Sequence, residues 1–202
     1  MRVIAGTYRS RVLKSLKSLA LRPTSDRLRE TLFNVLGLNV SGARFADLFA
    51  GTGAIGIEAL SRGASEIVFL ENHLPAAALI RKNLDSLGIC SGFTVLPVDV
   101  LRGLEMLASR KKGTESGFDF IFLDPPYVAA ADYARVLRFL GSADLLAPEG
   151  MVIAEHHRKF HLPEKVEALR RFRVLKQGDT ALSFYRRSDA AAEESDSSEQ
   201  TS

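Results

Sequence analysis

The 202-residue chain has a single cysteine, Cys90, so an intrachain disulfide is excluded, and a lone thiol suits a reducing compartment. Its four histidines, His73, His156, His157 and His161, have no cysteine partners at zinc spacing, and no metal site is expected. No run of eighteen apolar residues occurs, which argues against a membrane-spanning helix. The first residues carry Arg2, Arg9, Arg11 and Lys14 without a long apolar stretch, unlike a secretory signal. Lysine and arginine are missing altogether from residues 188–202, which hold Asp189, Glu193, Glu194, Asp196 and Glu199 and nothing apolar beyond alanine. That composition cannot bury enough surface to offset ordering, so an acidic disordered tail is expected there. A cytoplasmic, monomeric protein without membrane association is the expectation these absences leave.

What is present is a body with ordinary core content and an uneven charge. With 46% apolar and 25% charged residues, the chain can build one full core. All 27 lysines and arginines precede Ser188. Residues 1–35 alone hold eight of them, Arg2, Arg9, Arg11, Lys14, Lys17, Arg22, Arg27 and Arg29, against Asp26 and Glu30. A basic segment this concentrated suits contact with phosphates.

Strand and helix patterns alternate from Arg44 onward. Phe45 to Ala50, Glu66 to Leu70, Phe93 to Val98, Phe118 to Leu123 and Met151 to Glu155 read as strands. Helical patterns fall between them, after an opening helix whose apolar face is Leu28, Leu32, Val35 and Leu36. Such alternation implies an α/β fold with parallel strands and right-handed crossovers. Arg170 to Lys176 and Thr180 to Arg187 flank Gln177-Gly178-Asp179 and predict a closing antiparallel hairpin. Residues 2–14 alternate imperfectly around Gly6 and Ser10, predicting a small hairpin outside the main core.

Two stretches carry the chemistry. Gly51-Thr52-Gly53 with Gly56 spells G-x-G-x-x-G between a strand and a helix, and Glu71 ends the next strand. Glycines let a ligand approach the backbone, the helix N-terminus offers unpaired N–H groups, and a carboxylate at that strand end can accept ribose hydroxyls. The pattern implies an adenosine-type cofactor. Asp47 lies inside the first strand and Asp99 ends the third, so acids gather on one rim. The second stretch is Asp124-Pro125-Pro126-Tyr127 after the run Phe120 to Leu123. Neither proline can continue a sheet ladder and both have fixed φ, so the strand ends in a stiff ledge bearing a carboxylate, free carbonyls and a ring. S-adenosylmethionine suits this set of acids, with ribose, adenine and ammonium groups for them to meet.

Asp47-Leu-Phe-Ala-Gly-Thr-Gly53 resembles motif I of the class I methyltransferases, and Asp124-Pro-Pro-Tyr127 resembles the motif of those that methylate exocyclic amines in nucleic acids. Arg2-Val-Ile-Ala-Gly6, Arg9-Ser-Arg11 and Arg22-Pro-Thr-Ser-Asp-Arg-Leu-Arg-Glu-Thr-Leu-Phe-Asn34 are similar to the bacterial RsmD family, over roughly residues 2–187. In that family's pattern Tyr8 is often tryptophan and Ser10 often glycine. The resemblance implies a Rossmann-like class I sheet of about seven strands, mostly parallel, with an antiparallel C-terminal hairpin and a small N-terminal β-hairpin extension. It implies transfer of a methyl group from S-adenosylmethionine to the exocyclic N2 of a guanine in 16S rRNA, within a small-subunit assembly particle.

The cofactor site is then expected to comprise Asp47, Phe49, Gly51, Gly53, Glu71, Asn72, Asp99 and Val100. Asp124, Pro125 and Tyr127 are expected to do the chemistry, and Arg2, Arg9, Arg11, Arg22, Arg27 and Arg29 to hold RNA. The implied division is an N-terminal extension over 1–20, a methyltransferase domain over 21–187 and the tail over 188–202. A methyltransferase of adenine N6 or of another amine remains the alternative, and the glycine pattern alone also fits an NAD-linked oxidoreductase.

Overall fold

The computed structural model describes residues 1–15, 25–110, 117–126 and 130–188. Arg22, Tyr127, Lys111, Lys112, the junction at residue 20 and the acidic tail beyond Ser188 lie outside the described residues.

One sheet of eight strands organises the molecule: β1 (Arg44–Leu48), β2 (Glu66–Leu70), β3 (Phe93–Leu96), β4 (Phe118–Leu123), β5 (Leu146–His157), β6 (Lys165–Val166), β7 (Leu169–Gln177) and β8 (Thr180–Arg187). Their order is β3-β2-β1-β4-β5-β8-β7-β6. The first five are parallel, and β8 slots antiparallel between β5 and β7. The extra strand beyond the expected seven is β6, whose two residues are too short to leave a periodic signal. β5 is longer than predicted because pairing with β4 resumes at Leu146, ahead of Pro148 and Gly150, through a register shift.

Among the described residues, five α-helices cover the sheet: α1 (Asp26–Leu36), α2 (Ala54–Ser61), α3 (Leu74–Leu87), α4 (Val100–Arg110) and α5 (Ala130–Ser142). Ser25 caps α1, its hydroxyl accepting from the Leu28 N–H at 3.1 Å. Gly88, at φ 73°, ends α3 in the left-handed conformation that glycine adopts without strain. Helices α1, α2 and α3 bury Phe33, Ile57 and Ile80 against Phe45, Phe69, Phe120 and Phe122 on one face. Helices α4 and α5 bury Leu104, Val136, Leu137 and Leu140 against Leu48, Ile121 and Val152 on the other.

The N-terminal segment forms the expected small hairpin, with an antiparallel bridge of Arg2 to Val12 and the Val3 and Leu13 N–H groups donating to the Arg11 and Met1 carbonyls at 2.9 and 3.1 Å. Contrary to expectation it does not lie outside the core, since Val3 and Leu13 are buried among α1–α3. The Glu58 carboxylate of α2, fully buried, accepts from the Ile4 and Ala5 N–H groups at 2.7 and 3.0 Å, and Ser61 bonds to Ala5, Thr7 and Tyr8. Polar groups of α2 therefore dock residues 4–8 of the segment. Ser10 sits at φ 67°, a left-handed conformation that favours glycine.

Candidate functional site

The rim at the carboxyl ends of β1 to β5 is built by the strand order. β1 and β4 are neighbours although β2 and β3 intervene in sequence, so the chain leaves the sheet in opposite directions there and opens a crevice. Phe49 at φ 63°, Gly51 at 55° and Gly53 at 76° take left-handed conformations as the chain turns from β1 into α2. For Phe49 that conformation costs energy, which is a mark of a backbone shaped for a ligand. The Glu71 carboxylate braces the turn, accepting from the Gly51 N–H at 2.7 Å and from the His73 N–H at 2.8 Å. Each of its oxygens keeps capacity for a further donor. Asp99 accepts from the Leu101 N–H at 3.0 Å at the start of α4 and is exposed. Asn72 is exposed, Val100 is buried, and Phe49 leans toward the α4–α5 core.

Asp47 lies deeper. It is 2% exposed, and its carboxylate accepts from the Gly56 N–H at 3.0 Å, holding the first turn of α2. Burial pushes its carboxyl from the ordinary 3.8 up to about 8; the Gly56 bond opposes the rise and the charge of Glu71 adds to it. Below about pH 4 the folded and unfolded chains both carry this proton and Asp47 is neutral to stability. As the pH climbs to about 8 the unfolded chain ionises first, so the folded state loses stability across that window. Asp47→Asn keeps an acceptor for Gly56 and cannot ionise. Its melting temperature should fall less between about pH 5 and pH 8 than that of the parent chain, and parallel curves would refute the shift.

Strand alternation sets which acids meet. Phe45, Phe120, Phe122 and Ile153 face α1–α3, so Asp47 on β1, Asp124 after β4 and Glu155 on β5 point to the same side. Asp124 follows Leu123, which pairs with Ala154, and thus sits alongside Glu155. Glu155 is 6% exposed. Burial, then the charges of Glu155 and Asp47, drive the Asp124 carboxyl well above its usual range. Pro125 is buried and Pro126 exposed at the mouth of this ledge.

The rim thus brings together Asp47, Gly51, Gly53, Glu71, Asp99, Asp124 and Pro125 of the predicted residues. The predicted RNA contacts divide. Arg2, Arg9 and Arg27 are exposed and line a cleft of about 340 Å³ with Asp26 and Glu30. Arg11 is exposed and donates to the Ser86 carbonyl at 3.2 Å. Arg29 is a correction: it is fully buried, bonds to the Arg2 carbonyl and to Asp26, and faces Glu58 at 3.8 Å. Its position one turn before Phe33, and in line with Leu36, places it on the apolar face of α1, where no phosphate reaches it.

Three site residues escaped the sequence reading. Glu155 gives the same signal as the other rim acids, a carboxylate at the end of a strand. Glu58 lies in a helix whose other residues are almost all apolar, which foretells a buried partner. Asn83 of α3 leaves no local signal; its amide donates to the Thr52 carbonyl of the glycine turn and, at 3.2 Å, to the Lys14 carbonyl, tying the glycine turn and the N-terminal segment together.

Sheet order, glycine turn and rim acids define a class I methyltransferase fold. A family profile described as Conserved hypothetical protein 95 matches residues 1–186, and the chain belongs to this family, the RsmD family. It is similar to YlbH of Bacillus subtilis, 37% identical over 187 residues, which are 93% of this chain and 99% of that protein. It is 34% identical to ribosomal RNA small subunit methyltransferase D of Escherichia coli K12 over 163 residues, 81% of this chain and 78% of that protein. The solved structure of Escherichia coli yhhF superposes with a TM-score of 0.79 at 29% identity, covering 94% of this chain and 98% of that one.

Proposed function

We propose that this protein transfers a methyl group from S-adenosylmethionine to the exocyclic N2 of a guanine in 16S rRNA. The observation that carries the reading is Asp124 at the end of β4, on the same rim and sheet face as the glycine turn and Asp47. The name of the Escherichia coli relative supports an rRNA substrate.

The donor set fits the cofactor. Glu71 keeps lone pairs for ribose hydroxyls and Asp99 for the adenine amine, and the two carboxylates together favour a cationic ligand. The Thr52, Ala54 and Ile55 N–H groups at the start of α2 have no hydrogen-bond partner among the described residues and suit its carboxylate. When bound, the cofactor supplies an electrophilic methyl group.

The protein's own task is to make a poor nucleophile competent. The amine's lone pair is conjugated with the guanine ring. The Asp124 carboxylate and the Pro125 carbonyl accept its two N–H bonds, hold the nitrogen in line and favour the positive charge that grows on it. The rigid Asp-Pro-Pro backbone keeps both acceptors in place. Tyr127 stacks on the base after it is flipped from its helix. Arg2, Arg9 and Arg27 hold the surrounding phosphates.

Labelled methyl transfer to naked 16S rRNA and to partly assembled small subunits, with the product mapped to a base and an atom, tests this reading. N2-methylguanine at one position is the expected product; N6-methyladenine, or no transfer to either substrate, would overturn it.

A further inference from the structure

The outer strands of the sheet carry a row of exposed cations. Lys165 on β6 pairs in register with Arg170 on β7, and Arg170 with Arg186 on β8. Three like charges directly opposite one another across three strands destabilise a sheet. Arg173 stands beside them, its guanidinium 6.0 Å from the ring of Phe184. Among the described residues, none of Arg170, Arg173 and Arg186 has a carboxylate partner. The nearby acids are engaged elsewhere: Glu164 with Arg171 at 3.2 Å, Glu167 with Arg138 at 3.9 Å and Asp179 with Arg158 at 3.5 Å.

An aromatic ring is set into this row. Phe172, at a register shift in β7, is 42% exposed, and the Arg186 guanidinium lies 4.1 Å from its centroid. A guanidinium layered on an exposed ring is a flat, cationic platform of the kind on which nucleic-acid bases stack. Protection of a sheet edge does not account for the row. Edge lysines serve that end, but Arg170 is paired with both Lys165 and Arg186, and β8 lies between β5 and β7, so Arg170 and Arg186 are interior to the sheet; β7 becomes an edge only beyond Arg170.

The row also faces the right way. Arg186 is opposite Met151 on β5 and Leu182 is opposite Glu155, and Met151 and Leu182 both belong with the α1–α3 side. Arg186 therefore shares a sheet face with Asp124 and Glu155, at the level of Met151, four residues before Glu155 on β5 and so roughly 13 Å from the rim along the strand direction.

We infer that the outer face of β6–β8 is a second contact surface for single-stranded RNA, with Lys165, Arg170, Arg173 and Arg186 meeting phosphates and the Phe172–Arg186 pair stacking on a base. This surface is separate from the N-terminal cleft, and the inference rests on the reading of RNA as the substrate.

The test is binding of the full chain to transcribed 16S rRNA over a range of salt. Arg170→Gln/Arg186→Gln should weaken binding about tenfold at moderate salt and reduce the slope of log affinity against log salt by roughly 1.5. Arg170→Lys/Arg186→Lys should restore the slope. Phe172→Ala should weaken binding about threefold to tenfold with an unchanged slope, because a stacked ring displaces no counterions. Removal of opposed like charges should not lower the melting temperature; if the double variant does melt early, Arg186→Gln alone carries the test.

An unchanged slope in a folded double variant overturns the inference. So does self-association of that variant with unchanged RNA binding, which would make the row a guard against sheet pairing. Loss of affinity for assembled particles but not for naked rRNA would mean a protein partner and would overturn it equally. Absence of methyl transfer to rRNA by the parent chain, with the salt slopes still differing, would refute only the proposed activity.

Discussion

Asp124→Asn is expected to lower the rate of methyl transfer by about 100- to 1,000-fold, the scale for removing one preorganised partner of a developing charge. The substitution keeps the shape of the side chain and one acceptor oxygen but removes the negative charge that favours the positive charge growing on the amine nitrogen. Cofactor affinity should change little, since the glycine turn, Glu71 and Asp99 lie on other strands. Stability should not suffer, because burial and two nearby acids already disfavour the charged form of Asp124. Near-normal single-turnover transfer by the folded variant would sink the proposed role. The same site predicts a pH effect. The ionised Asp124 carboxylate is the stronger acceptor and carries the charge that stabilises the developing ammonium, so activity should fall as the pH drops through its raised value. Glu155→Gln removes a like charge, lowers the Asp124 value and should move that acidic limb to lower pH. An unmoved limb in an active variant would separate Glu155 from the chemistry.

Gly56→Ala should cost about 3 kcal/mol or more of stability, at or beyond the upper end for overpacking. A Cβ there would meet Phe69 Cε1 at 2.3 Å and Cζ at 2.7 Å, and Ile67 Cγ2 at 2.8 Å. Both neighbours are fully buried in the centre of β2, so neither can swing away. The helix must instead lift from the sheet. Because α2 begins at the glycine turn, the same shift should weaken S-adenosylmethionine binding by tenfold or more. Urea denaturation and calorimetric titration measure the two losses. Phe69→Leu in the same chain opens space at the ring edge and should recover part of both, a coupling that a double-mutant cycle reads directly. An unaltered urea midpoint for Gly56→Ala would contradict the packing argument.

The central strands and all five helices were legible because their burial follows the local repeat of apolar residues. Phe120 to Leu123 is buried on both faces and reads as one continuous run, and Asp124-Pro-Pro marks its end without ambiguity. The rim acids were legible one strand at a time, but their meeting was not. That Asp124 lies beside Glu155 depends on the register of β4 with β5, which is fixed by distant packing. Arg29 was misread because a basic residue in a basic segment looks solvated, while its helical phase with Phe33 and Leu36 said otherwise. The cationic row across β6–β8 was equally hidden. Lys165, Arg170 and Arg186 are scattered in sequence, and only the antiparallel pairing lines them up.

The docking of the first residues onto Glu58, Ser61 and Asn83 has a consequence for synthesis. Those partners lie 53 to 69 residues further along the chain. A growing polypeptide therefore makes its N-terminal segment first and completes its bonds only once α2 and α3 have emerged. Until then Val3 and Leu13 have no core to enter. Closure of the segment is a late, long-range event in folding, and it buries Arg29 and Glu58 in the same step.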